Sequence, residues 1–151
     1  MNALNVHLFG DLVHFLVEER KFTFEMAVSK VEALFSTMCD IVKELFSAFK
    51  GEFSVFSPLR NCFEQFGIDF LIDQSFHVWL LEVNPGPDFK QTGKELSGVV
   101  DDFIEDTAKV FLDGDFVKDR NKLGKNIGGL IEVYNESWMG ESDGLPSMKM
   151  F

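Results

Sequence analysis

"GIDFLIDQSFHVWLLEVNPGPD", residues 67–88, decides the fold: it holds two apolar, strand-like runs, and each carries a carboxylate among hydrophobic residues. Pairing the runs as an antiparallel hairpin with Asp69 opposite Glu82 sets Leu71 against Leu80 and Gly67 against Asn84. Gln74 to His77 then remain as a four-residue loop. One face becomes Ile68 with Val83, Phe70 with Leu81 and Ile72 with Trp79, wholly apolar, as befits a sheet with one packed side. The other gathers Asp69, Glu82 and Asn84 around Gly67, with opposed side chains about 5 Å apart.

Two like charges in direct opposition destabilise a sheet, and removing them from water is worse still. A shared proton, raising one carboxylate's pKa, is one remedy. A divalent cation is the other, since two carboxylates and an amide oxygen are the hard oxygen donors that Mg²⁺ takes. Asn84, two residues from Glu82 on the same face, tips the choice toward metal. Alternation alone favours the plainer alternative, two acids on a solvated face.

The flanking sequence predicts helices. Over residues 24–50, Val31, Leu34, Met38, Ile41, Val42, Leu45 and Phe49 recur at spacings of three and four, with Glu32, Asp40, Lys43 and Glu44 off the stripe. That is an amphipathic helix, ended by Gly51. Residues 4–17 suit either a strand at Val6–Phe9 or a helix through Leu12–Val17, and Phe53–Pro58 reads as loop or short extended chain. Pro85-Gly86-Pro87 makes a rigid turn, and Thr92 with Glu95 forms a capping box for a further helix. That helix has Leu96, Val99, Val100, Phe103, Ile104, Ala108, Val110 and Phe111 as its apolar side and Asp101, Asp102, Glu105 and Asp106 as a solvated acidic edge. Beyond Asp113 the pattern weakens. Leu130–Tyr134 suggests one more strand, and Gly128, Gly129, Gly140, Gly144 and Pro146 a loosely ordered tail. Asp113 and Asp115 lack the other ligands of a calcium loop.

The 151 residues, 46% hydrophobic and 26% charged, suit one globular domain with a single core. A formal charge of −11 without a basic run disfavours nucleic acid and anionic membrane surfaces. Cys39 and Cys62 read as buried free thiols, and the three histidines form no ligand pattern. No secretory signal or transmembrane run is evident, so a soluble, cytoplasmic protein is expected. Eighteen phenylalanines beside one tyrosine and two tryptophans mark core packing, with a surplus that suits a partner surface.

The run "CFEQFGIDFLIDQSFHVWLLEVNPGPDFKQTG", residues 62–93, resembles the tubulin–tyrosine ligase family, whose ATP-grasp domain closes with an Asp on one strand and a Glu-x-Asn on the next. The step from Asp69 to Glu82, the Phe-Gly-x-Asp opening, the Trp-Leu-Leu-Glu-Val-Asn strand and the following proline carry the likeness, which extends more weakly over about residues 20–112. The resemblance implies an ATP-dependent carboxylate–amine ligase: a substrate carboxylate attacks the γ-phosphate, and an amino acid's amine captures the acyl phosphate. It implies Mg²⁺ on Asp69, Glu82 and Asn84, and adenine against Leu71 and Leu81. Alternation sets Leu71 on the carboxylate face and Leu81 on the other, so Leu81 is the weaker carry-over. Lys90 could approach phosphate, although a solvated lysine is the simpler reading.

The departures from the family point to a portion of such a ligase. About sixty residues precede the motif, they read mainly as helix, and they hold no glycine-rich phosphate loop. The expected organisation is α+β: residues 1–112 as a partial ATP-grasp domain with a long helix, an antiparallel hairpin and a second helix, and residues 113–151 as a C-terminal extension. Tubulin or another protein is the implied acceptor, reached through a complementing chain or missing segment, because a chain at −11 repels acidic tails. The alternative is a non-catalytic remnant that dimerises or binds a partner through Phe-rich surface.

Overall fold

In a computed structural model of the chain, residues 7–50, 52, 62–89, 96–112, 129–135 and 149–150 are described. Their order is α1 (Asp11–Glu18), α2 (Phe24–Ala48), β1 (Phe66–Ile72), β2 (Val78–Pro85), α3 (Ser97–Leu112), β3 (Tyr134–Asn135) and β4 (Lys149–Met150). The architecture is α+β, with β1 and β2 as an antiparallel pair. Two compact units emerge, Met1–Ile41 with Gln65–Leu96 and Val42–Glu64 with Ser97–Phe151.

In the first unit the ambiguous N-terminal stretch is helical. Leu12, Val13, Leu16 and Val17 fall on one helical stripe, and Asp11 in the first turn accepts the Leu8 N–H at 2.9 Å. Residues 7–9 form no strand. After α1, Lys21 adopts a left-handed φ of 59° and the Phe22 N–H returns to the Leu16 carbonyl at 3.1 Å. Thr23 then caps α2, its hydroxyl accepting the Met26 N–H at 3.2 Å. The tight reversal brings Leu16, Ala27 and Val31 into one core, with Leu12, Val13, Val17, Phe22 and Phe76 packed against it. Burying a leucine such as Leu16 contributes about 1.5–3 kcal/mol.

Along α2 the buried positions Ala27, Val31, Leu34 and Phe46 and half-buried Met38, Ile41, Val42 and Leu45 trace the expected stripe. Glu32, Asp40, Lys43 and Glu44 are exposed, also as expected, while the buried Phe46 was not anticipated. Gly51, the expected terminator, lies outside the described residues, as do residues 53–58, Lys90, the Thr92–Glu95 box, Asp113 and Asp115.

The hairpin corrects the expected register. Gly67 pairs with Asn84 and Asp69 with Glu82 as read from the sequence, but the register then shifts: Phe70 faces Leu80, Leu71 faces Trp79 and Ile72 faces Val78. Leu81 is the extra residue of a bulge on β2. The cause lies in the turn. Asp73 belongs to the connection rather than to β1, its N–H donating to the His77 carbonyl at 3.0 Å while the Phe76 N–H closes a β-turn on the Asp73 carbonyl at 2.9 Å. Phe76 follows in the left-handed region with φ 65°, the position of a three-residue hairpin loop that glycine ordinarily fills.

What holds a phenylalanine there is packing. Its ring meets Phe22 with centroids 5.9 Å apart, and Lys30 Nζ and the Arg20 guanidinium lie 4.9 and 5.8 Å from its centroid. Arg20 also donates to the Gln74 carbonyl at 3.4 Å. The hairpin tip is thereby seated on the core of α1 and α2.

In the second unit, Phe46, Val110 and Tyr134 are buried, whereas Val99 and Ile104, expected on the apolar side of α3, are about half exposed. Asp106 departs further from expectation. It is buried, accepting the Gly129 N–H at 2.7 Å and the Lys109 ammonium at 3.0 Å, so it ties residue 129 to α3 instead of joining a solvated edge. Of the strand expected at Leu130–Tyr134, Leu130 forms an isolated bridge and Tyr134 opens β3, which pairs antiparallel with β4. Most of the tail expected to be loosely ordered lies outside the described residues.

Replacing Phe76 separates its two contributions. Phe76→Ala keeps the backbone strain and loses the ring, so stability should fall by roughly 2 kcal/mol. Phe76→Gly loses the same ring but relieves the strain, so it should be more stable than the alanine variant by roughly 1 kcal/mol. Urea denaturation followed by circular dichroism checks the order, and an alanine variant at least as stable as the glycine variant would contradict it.

Candidate functional site

The exposed face of the hairpin is built from three cross-strand rungs. Gly67 lies opposite Asn84, Asp69 opposite Glu82, and Leu71 opposite Trp79. A polar end thus grades into an apolar one within a few residues. Asp69, Glu82 and Asn84 are all exposed, and so are Leu71 (46%), Trp79 (56%) and Leu81 (60%). The other face carries Ile68, Phe70, Ile72, Val78, Leu80 and Val83, all half-buried. It is apolar as expected, with different members: Trp79 has moved to the carboxylate side, and Leu81, expected on the packed side, is exposed at the bulge.

Asn84 donates its Nδ2–H to Glu82 Oε1 at 2.9 Å, which holds the Glu82 carboxylate and leaves the Asn84 amide oxygen as that side chain's donor atom for a cation. Both acids are exposed, so the opposed charges face solvent and their repulsion is screened. Among the described residues no group of three or more His, Cys, Asp or Glu side chains could hold a metal. The set expected from the sequence is a mixed one, two carboxylates and an amide, hard oxygen donors of the kind that Mg²⁺ takes.

A carboxylate that the sequence reading passed over organises the end of this face. Asp73 Oδ1 accepts the N–H groups of Ser75 and His77 at 2.8 and 2.9 Å, and Oδ2 lies 3.1 Å from both Trp79 Nε1 and His77 Nδ1. The His77 N–H first, then the Trp79 indole, the His77 ring and the Ser75 N–H favour the charged form and hold its pKa at about 2. The signal was present: an Asp two residues before a Ser, between two strand-like runs, is an Asx-turn sequence.

Neither cysteine joins the face. Cys39 on α2 is half-buried, its thiol pKa raised by burial and by Asp40, whereas Cys62 is exposed, contrary to the expectation that both are buried. His7 lies 3.9 Å from Asp11 in an exposed pair. No helix among the described residues is long and apolar enough to cross a membrane.

Comparison with known proteins places this hairpin in a family context. The description "Tubulin-tyrosine ligase family" matches residues 15–120. A probable tubulin–tyrosine ligase of Saccharomyces cerevisiae is 51% identical over 87 residues, 55% of this chain and 12% of its own length. A probable tubulin–tyrosine ligase of Schizosaccharomyces pombe is 43% identical over 79 residues, 52% of this chain and 20% of its own length. A probable tubulin polyglutamylase of Mus musculus is 35% identical over 115 residues, 76% of this chain and 23% of its own length. The chain thus spans between an eighth and a quarter of these relatives. No solved structure matches it.

The Asp73 network has a pH signature. With its folded pKa lowered from 3.8 to about 2, its contribution to stability is present above pH 3.8 and is lost as the pH falls through about 2. Denaturant unfolding of the wild type and of Asp73→Asn should therefore differ clearly at pH 6 and converge near pH 2. A difference that stays constant across this range would contradict the assignment.

Proposed function

The chain belongs to the tubulin-tyrosine ligase family, and from that premise we propose that residues 67–85 form the Mg²⁺- and ATP-binding face of an ATP-dependent carboxylate–amine ligase. It corresponds to the C-terminal half of an ATP-grasp domain. Asp69 and Glu82 supply two carboxylates and Asn84 its amide oxygen to the ion, while Leu71 and Leu81 meet the adenine. Mg²⁺, when bound, supplies charge neutralisation at the phosphates.

One observation carries this reading: an exposed, opposed carboxylate rung adjoins an exposed apolar rung on one face of the same hairpin. A nucleotide–metal complex has the same polarity, an anionic metal-bound end and an apolar ring. The bulge supports it, because it exposes Leu81 next to Glu82 where strict alternation would have turned it inward. The hydrogen bond from Asn84 to Glu82 fixes two of the three donors before an ion arrives, which lowers the entropy lost on binding.

The relatives are named for ligation to tubulin, so tubulin or a similar protein is the proposed acceptor. With a net charge of −11, this chain would repel an acidic tail, and the acceptor-binding and phosphate-holding basic groups are assigned to the part of the family's length it does not span. A second reading is a non-catalytic interaction module. It draws on the exposure of Phe15, Phe24, Met26 and Phe35 on α1 and α2, an apolar surface that suits dimerisation or a partner.

Calorimetric titration with ATP, with and without Mg²⁺, separates the two. Saturable binding that requires Mg²⁺ and weakens at least about ten-fold in Asp69→Asn and Glu82→Gln supports the ligase reading. Absence of heat from a folded chain that self-associates would overturn it in favour of the interaction module.

A further inference from the structure

Trp79 is the largest side chain on the exposed face, and packing does not hold it there. More than half of it is accessible, and the contact that orients it is the indole N–H on Asp73 Oδ2 at 3.1 Å. Asp73 can serve as an anchor because its other oxygen is already fixed by the Ser75 and His77 N–H groups. The His77 ring shares Oδ2, also at 3.1 Å, and completes the set of groups that face this carboxylate in the turn. Four contacts thus converge on the Asp73 carboxylate, and one of them holds the exposed indole.

The position of that indole gives the arrangement meaning. Trp79 lies one same-face rung beyond Glu82 and directly across from Leu71. A rung separation of two residues is about 7 Å along a strand. A group held by the carboxylates at one end and an aromatic ring lying at the other therefore span one ligand of modest size. An aromatic platform next to an apolar side chain takes the π-face of a heterocyclic base.

We infer that Trp79 is a stacking platform for the purine ring of the nucleotide and that Asp73 is the residue that positions it. This rests on the Mg²⁺–ATP reading of the same face, which it extends to a base-recognition pair beyond Leu71 and Leu81. Asp73 touches no ligand and acts only through the indole it holds. The hairpin turn therefore serves two purposes, closing the strands and aiming the ring.

The test uses the full chain carrying Trp138→Phe, so that Trp79 is the sole indole, titrated with Mg²⁺–ATP and with Mg²⁺–tripolyphosphate, which has the anionic end but no base. Mg²⁺–ATP should quench Trp79 fluorescence saturably and tripolyphosphate should not. Trp79→Ala should weaken ATP binding, read by calorimetry, roughly ten-fold and leave tripolyphosphate binding unchanged, while Trp79→Phe, which keeps a ring, should lose less than about three-fold. Asp73→Asn keeps an oxygen for the backbone N–H groups but presents an amide donor to the indole N–H, so it should reduce both the quenching and the ATP preference. Binding of ATP that depends on Glu82 yet is unaltered by Trp79→Ala would overturn this inference and leave the ligase reading standing. Failure of the chain to bind either ligand would overturn both.

Discussion

The Asp73 turn sets the terms for the rest of the hairpin. By closing the connection at Asp73 and His77, it forces Ile72 opposite Val78, a register one residue out of step with the pairing of Asp69 and Glu82. A bulge at Leu81 is the local solution to that mismatch, since one unpaired residue restores the register at the expense of a single irregular step. Three features of the candidate site follow from this constraint. Trp79 comes onto the carboxylate face, Leu81 is exposed beside Glu82, and the packed face stays wholly apolar because Leu80 and Val78 take the places that Leu81 and Trp79 would have held.

The same turn joins the sheet to the helices of its unit. Phe76 occupies a backbone conformation unfavourable to a bulky side chain, and it is retained there by Phe22 beneath it and by Lys30 and Arg20 over its ring. A two-stranded sheet alone is at best marginally stable in water. Local strain at one residue is therefore offset by a contact that anchors the tip of the hairpin, and the carboxylate and apolar rungs are presented on an element seated at one end.

Much of this was legible in the sequence because alternation and helical spacing report directly on which side of an element is buried. The stripe of α2 followed from period, and, once Asp69 was set opposite Glu82, so did the placement of Asn84 and Leu71 on that face. What escaped was set by single hydrogen bonds. Whether Asp73 ends a strand or opens a turn depends on its side chain taking two backbone N–H groups, and that choice flips the face of each β2 residue between the turn and the bulge, Val78, Trp79 and Leu80, while β1 keeps its faces. Asp106 escaped similarly: an aspartate in an acidic run looks solvated until a distant N–H, here that of Gly129, is brought to it. The resemblance to the tubulin-tyrosine ligase family rested on the strands themselves, and the family match over residues 15–120 agrees with it.

The central proposal is that a divalent cation and its nucleotide sit at the Asp69–Glu82 rung. Paramagnetic broadening of backbone amide resonances by Mn²⁺ in the presence of ATP locates such an ion without reference to catalysis. Broadening strongest at residues 67–71 and 80–84 is the result predicted. Broadening centred on α3, or spread evenly over the acidic surface, would contradict it.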